Sequence, residues 1–121
     1  MNGMFSNKFL EEIKKNTKNG VLGRRSCYRH YIYFILDIEY NAVKIGISVN
    51  VKGRLKAIQS HNLHPLKILK TIRCEYAISK IPAKSLSRSY EQRIHKTFQD
   101  QQITGEWFKY EGTLEKFIEK L

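Results

Sequence analysis

Five short segments carry chemically capable side chains in a fixed order. They are Tyr31-Ile32-Tyr33, Lys44-Ile45-Gly46, Arg54 eight residues beyond that glycine, Glu91 followed by His95, and Gly105-Glu106-Trp107-Phe108. A phenol, a guanidinium and a carboxylate delivered by separate elements suit metal-assisted cleavage of a phosphodiester, which needs an activated water, a cation to absorb charge developing on phosphate, and help for the departing oxygen. Arg54 presents a planar fork that matches phosphate oxygens and stays charged. Glu91 is chemically sufficient for a hard divalent ion that keeps several of its waters. The competing reading makes Glu91 and His95 an ordinary pair one turn apart on a helix.

The hydrophobic pattern places these residues on distinct elements. Residues 30–37 are β-branched and aromatic, residues 42–48 repeat that character after a turn at Glu39-Tyr40-Asn41, and together they predict a hairpin. Alternation groups Ile32, Phe34 and Leu36 on one face and Val43, Ile45 and Ile47 on the matching face of the next strand, so that Tyr33 and Lys44 project from the opposite side. Gly46 either relieves crowding beneath a helix or marks a bulge. Asn50 is placed to cap a helix over about 51–60, with Val51, Leu55 and Ile58 inward and Lys52 and Lys56 outward. Residues 66–76 predict a third strand, with Leu66, Ile68 and Lys70 alternating against Lys67, Leu69 and Thr71. Over 85–99 the stripe Leu86, Tyr90, Ile94 and Phe98 predicts a helix that carries Glu91 and His95 along its border. Gly105 to Phe108 reads as a short edge strand or tight turn, and Leu114, Phe117, Ile118 and Leu121 as a closing amphipathic helix. Trp107 and Phe108 read as core plugs rather than a base-stacking platform.

The charge pattern points to the partner. With 22 Lys and Arg against 11 Asp and Glu, the 121-residue chain carries a formal charge of +11, which implies an anionic partner, nucleic acid first. Residues 44–96 hold 12 Lys or Arg against Glu75 and Glu91, a local net of +10. Lys52, Lys56, Lys67, Lys70 and Arg88 are assigned to backbone contacts with nucleic acid. The apolar positions are used in a core, and no run of about 18 apolar residues is present, which argues against a membrane. The absence of an apolar leader predicts an intracellular protein, in cytoplasm, nucleoid or nucleus. Cys27 and Cys74 lack paired spacing. Sets such as His61, His64 and Cys74, or Cys27 and His30, do not supply four zinc ligands at finger or ribbon spacing. Phe5, Phe9 and Ile13 predict a helix over 5–16, followed by a polar, basic linker, so residues 1–29 read as an extension and 30–121 as the domain.

In order and spacing, residues 30–121 resemble the GIY-YIG nuclease superfamily. Tyr31-Ile32-Tyr33 corresponds to the first signature, Lys44-Ile45-Gly46 to the second, Arg54 to the helical arginine and Glu91 to the metal-binding glutamate. Lys-Ile-Gly-Ile-Ser and Gly-Glu-Trp-Phe look like the phage-type and fungal meiotic branch often labelled a DNA-binding domain. The chain departs from the superfamily at Tyr31, where the signature has glycine, at Lys44, where it has tyrosine, and in lacking the late asparagine. The resemblance implies an α/β fold with a small, three-stranded, mainly antiparallel sheet flanked by helices. It implies a DNA endonuclease dependent on Mg²⁺ or Mn²⁺, with catalytic Tyr33, Lys44, Arg54, Glu91 and His95, Glu91 holding the ion, and no small-molecule cofactor. Tyr33 would act as base or water-positioning group. As a base near neutrality it needs adjacent positive charge, from Lys44 and the cation, to favour its phenolate. The alternative is a noncatalytic DNA-binding module on the same scaffold. Oligomeric state is not legible.

Overall fold

A computed structural model describes residues 29–75 and 83–121, together with Lys8 and Glu11, both in helical conformation. The rest of the predicted N-terminal helix and the linker, apart from Arg29, lie outside the described residues, as does the segment around Pro82. The elements run β1 (Arg29–Asp37), β2 (Ala42–Ser48), α1 (Val51–Gln59), β3 (Leu66–Glu75), α2 (Ala83–Thr97), a 3₁₀ turn (Gln99–Gln101), β4 (Gln102–Thr104), β5 (Trp107–Lys109) and α3 (Gly112–Glu119). The sheet has five strands in the order β3-β1-β2-β5-β4, and every pairing is antiparallel.

The expected fold class holds, an antiparallel sheet flanked by helices, with two more strands than the three expected; the segment read as a short edge strand or tight turn supplies a turn and β5, which lies inside the sheet rather than at its edge. β4 and β5 are three residues each, and β4 is exposed throughout, so neither leaves an alternating apolar signature. Gly105, at φ +55, opens the turn between them. A Cβ there would meet nothing within 4 Å, so glycine serves the backbone conformation rather than the space around it.

The core lies on one face of the sheet. Ile32, Phe34, Val43, Ile45, Ile72 and Phe108 pack against Tyr90, Ile94 and Phe98 of α2 and its C-terminal extension, and against Leu114, Phe117 and Ile118 of α3. Burying a side chain of this size contributes roughly 1.5–3 kcal/mol, so these contacts fix where α2 sits. The opposite face is covered by α1, which has no fully buried residue. Asn50 caps that helix by accepting from the Gly53 amide at 3.0 Å, and a Cβ on Gly53 would crowd the Asn50 amide nitrogen at 2.7 Å. The cap therefore explains a glycine that costs helix propensity.

Strand β3 departs from the simple alternation. Phe34 pairs with Lys70 but Ile35 pairs with Ile68, so Leu69 is an extra residue and the faces exchange there. Such a bulge reverses side-chain direction. Leu69 packs against the core, while Lys70 donates through Nζ to the main-chain oxygen of Leu121 at 2.9 Å. Among the described residues no helix is long and apolar enough to cross a membrane.

Candidate nucleic-acid cleavage site

The site forms where β2 outruns β5. Pairing between them ends at Lys44 opposite Trp107, and Ile45, next along β2, uses other partners. Its amide donates to the Glu106 carbonyl at 2.9 Å, and its carbonyl lies 2.9 Å from His95 Nε2. Because a carbonyl only accepts, His95 carries its proton on Nε2 and donates it. These two bonds clamp α2 and the β4–β5 turn to the same point of β2, which brings Glu91 and Glu106 to the strand that faces Tyr33.

Tyr33 sits opposite Gly46 in the β1–β2 ladder and is buried. Its phenol lies over Gly46, where a Cβ would collide with the hydroxyl. Gly46 is thus required by the tyrosine ring, rather than by a helix above it or by a bulge. From α1, Arg54 reaches the Tyr33 hydroxyl with a hydrogen bond. Tyr33, Arg54, Arg88, Glu91 and Glu106 line one cleft of about 330 Å³. The three groups expected to converge, Tyr33, Arg54 and Glu91, do so, and Glu91 at 9 % exposure remains open to the cleft.

The electrostatics assign different parts to these residues. Burial pushes the Tyr33 phenol above its ordinary value, opposed by the Arg54 hydrogen bond. The cation beside the phenol is therefore Arg54. Lys44, expected to tune Tyr33, pairs instead with Glu106 Oε1 at 3.3 Å. Burial also raises the Glu91 carboxyl; neighbouring His95 and Arg88 oppose the rise, while the Glu106 charge and a hydrogen bond with the Glu106 carboxyl add to it. Glu91 and Glu106 line the same cleft, so their carboxylates offer it oxygen ligands of the kind a hard divalent cation prefers. Glu91 and Glu106 thus fit Mg²⁺ or Mn²⁺, with waters completing the shell. His95 Nε2 is 3.9 Å from Glu91 Oε2, but its proton is committed to Ile45, which makes His95 a positioning residue.

Glu106 is the residue that pattern reading missed. It belongs to a motif noted for its glycine and aromatics, and no local signal separates a turn glutamate that faces solvent from one that meets a second carboxylate. Of the cations assigned to DNA, Arg88 lines the cleft, and Lys52 and Lys56 are exposed on the helix that carries Arg54. Lys67, exposed on the edge strand opposite Leu36, and Lys70, held by Leu121, are not brought to it. Phe108 is a core plug at 0 % exposure. Trp107 is not: it is half-buried, with Lys44 Nζ 5.5 Å from its ring centroid. Among the described residues no group of three or more His, Cys, Asp and Glu could hold a metal.

A five-stranded antiparallel sheet with a charged cleft at the open edge of its third strand defines a small α/β domain. The chain belongs to the T5orf172 domain family, whose model matches residues 30–121. This corrects the expected membership of the GIY-YIG superfamily: the family model that matches is a different one, and motifs of three or four residues did not separate the two. The chain's departures at Tyr31 and Lys44 were the available signal. No curated protein and no solved structure matches the chain.

Proposed function

We propose that this domain is a divalent-metal-dependent DNA endonuclease whose site is the cleft between Tyr33, Arg54, Glu91 and Glu106. The observation that carries the reading is their convergence, from β1, α1, α2 and the β4–β5 turn, on one cleft in a chain of net charge +11. Arg54, exposed at the rim, grips non-bridging phosphate oxygens and stabilises the charge that grows on them. Glu91 and Glu106 seat Mg²⁺ or Mn²⁺, which when bound supplies Lewis acidity and a more acidic water. Tyr33, kept a neutral phenol by burial, holds the attacking water through its hydroxyl rather than acting as a free phenolate. Lys44 fixes Glu106, and His95 fixes α2 against β2. Lys52, Lys56 and Arg88 supply sequence-independent backbone contacts.

The test is incubation of the protein with supercoiled plasmid and Mg²⁺ or Mn²⁺, beside Glu91→Ala and Glu106→Ala. Nicking by the wild type alone, abolished by a chelator, supports the assignment. Equal inertness of all three proteins, with DNA binding intact, would leave a noncatalytic DNA-binding domain instead.

A further inference from the structure

A second and larger cavity, about 760 Å³, lies between α1 and the sheet on the Tyr33 face. Its walls combine the Trp107 indole, Ala57 and Ile58 of α1, and the cations Lys44 and Arg54. Ile103 and Tyr40 also line it, and they are 51 % and 70 % exposed. Asp37 lines it too. This carboxylate is only 3 % exposed; it accepts from the Tyr40 amide at 3.2 Å and lies 3.8 Å from His64 Nδ1.

We infer that this groove is a nucleobase-binding subsite that receives one unpaired base of the DNA strand whose phosphate lies at Arg54. The inference rests on the proposed nuclease reading and adds a substrate class to it: strands with an unstacked base, such as a frayed end, a flap or a single-stranded segment.

Three features select this occupant. Arg54 lines both cavities, and Lys44 lines the groove while its ammonium pairs with Glu106 of the cleft, so a nucleotide placed here has its phosphate beside the cutting residues. An indole offers a stacking surface to any base, and the flanking cations complement the phosphate that a base carries with it and an apolar peptide does not. Asp37 supplies an acceptor for a ring or exocyclic N–H. A base inside an intact duplex is stacked on both faces and cannot enter. The size lies within the range of small-ligand sites.

Trp107 is the chain's single tryptophan, so its emission reports on this groove alone. The experiment titrates the protein, in chelator to prevent cleavage, with a decathymidylate, with an abasic strand of equal length and charge, with blunt duplex, and with thymidine monophosphate. Emission is expected to be quenched by the decathymidylate and not by the abasic strand or duplex. The base-bearing strand should bind about 5- to 150-fold tighter than the abasic one, the range measured for stacking of one base. Trp107→Phe should retain most of that difference. Ala57→Leu, an exposed helix position that fills the groove without entering the core, should lose it.

Equal binding of the base-bearing and abasic strands with unchanged emission, while plasmid is still cut, overturns the subsite and leaves the nuclease reading standing. Quenching by the mononucleotide to the same extent and affinity as by the strand overturns the strand assignment in favour of a free-nucleotide site. Retention of the base preference in Ala57→Leu places the contact elsewhere. Failure of every DNA to bind or be cut sinks both proposals together.

Discussion

Replacing Gly46 with alanine tests the centre of the site with a single methyl group. The new Cβ would collide with the Tyr33 hydroxyl, and would stand 2.5 Å from Tyr33 Cζ and 2.9 Å from Glu106 Oε1. Carbon atoms rest at roughly 3.5–4.0 Å, so the ring must retreat by about an ångström. The ring is 1 % exposed and Gly46 lies in the β1–β2 ladder, so neither moves freely, and the cost should be that of overpacking, about 1–3 kcal/mol. Denaturant unfolding monitored by far-ultraviolet circular dichroism reads this as a lowered midpoint with unchanged slope. An ångström of misplacement at the hydroxyl should slow metal-dependent plasmid nicking by about 10²-fold, while the salt-dependent affinity for duplex is unchanged because Gly46 is buried. Combining Gly46→Ala with Tyr33→Phe removes the worst collision and should recover part of the stability but none of the rate. A Gly46→Ala protein with wild-type stability and rate refutes the packing of Tyr33 on Gly46. Lost stability with an intact rate refutes the chemical role of the hydroxyl.

Other consequences follow from the same residues. Glu91→Gln should cut nicking by at least about 10²-fold without destabilising the fold at neutral pH. The folded Glu91 binds its proton more tightly than the unfolded one does, so its contribution to stability is full on the acid side and is lost as pH rises through the raised value. Melting temperature against pH should therefore flatten in Glu91→Gln, and Mn²⁺ should restore wild-type stability on the alkaline side. Arg54→Ala should cost about 10²–10³ in rate, as for loss of one transition-state donor. Lys52→Ala and Lys56→Ala should each reduce the slope of log affinity against log salt by about one. The Cys74 thiol, 2 % exposed, is pushed up from 9.0 to about 12 by burial. In a Cys27→Ser background it should react with a thiol reagent only on unfolding, and stability should fall as pH climbs from about 9 toward 12.

What was legible in the sequence was whatever has a period. The apolar alternation of β1 and β2 located the core face, and the fourfold stripe through Tyr90, Ile94 and Phe98 located α2; both follow from which side of an element meets the core. That is enough to place Tyr33 opposite the core and Glu91 at a border. It does not reveal that the two meet, because the meeting depends on where β5 stops and on the clamp at Ile45, neither of which has a periodic signature. The bulge at Leu69 was hidden for the same reason, since one inserted residue leaves composition unchanged while it moves Lys70 to the core side. Lys44 was misread because a strand neighbour of the phenol looks like its natural cation; the Glu106 partner arrives from a turn far along the chain. Family membership was the least legible, since several short motifs in order point to a kind of chemistry before they point to a lineage.

The clamp at Ile45 also governs when the cleft is assembled. A histidine from α2 and a main-chain carbonyl from the last hairpin close one stretch of strand edge, so an emerging polypeptide has the histidine but lacks the carbonyl until Glu106 is made. Until then β2 presents raw pairing groups that invite other chains, and the carboxyls stand apart. Aggregation hazard and an assembled cleft are thus exchanged in a single late folding event, and any truncation short of that hairpin should yield a sticky fragment in which Glu91 has no second carboxylate.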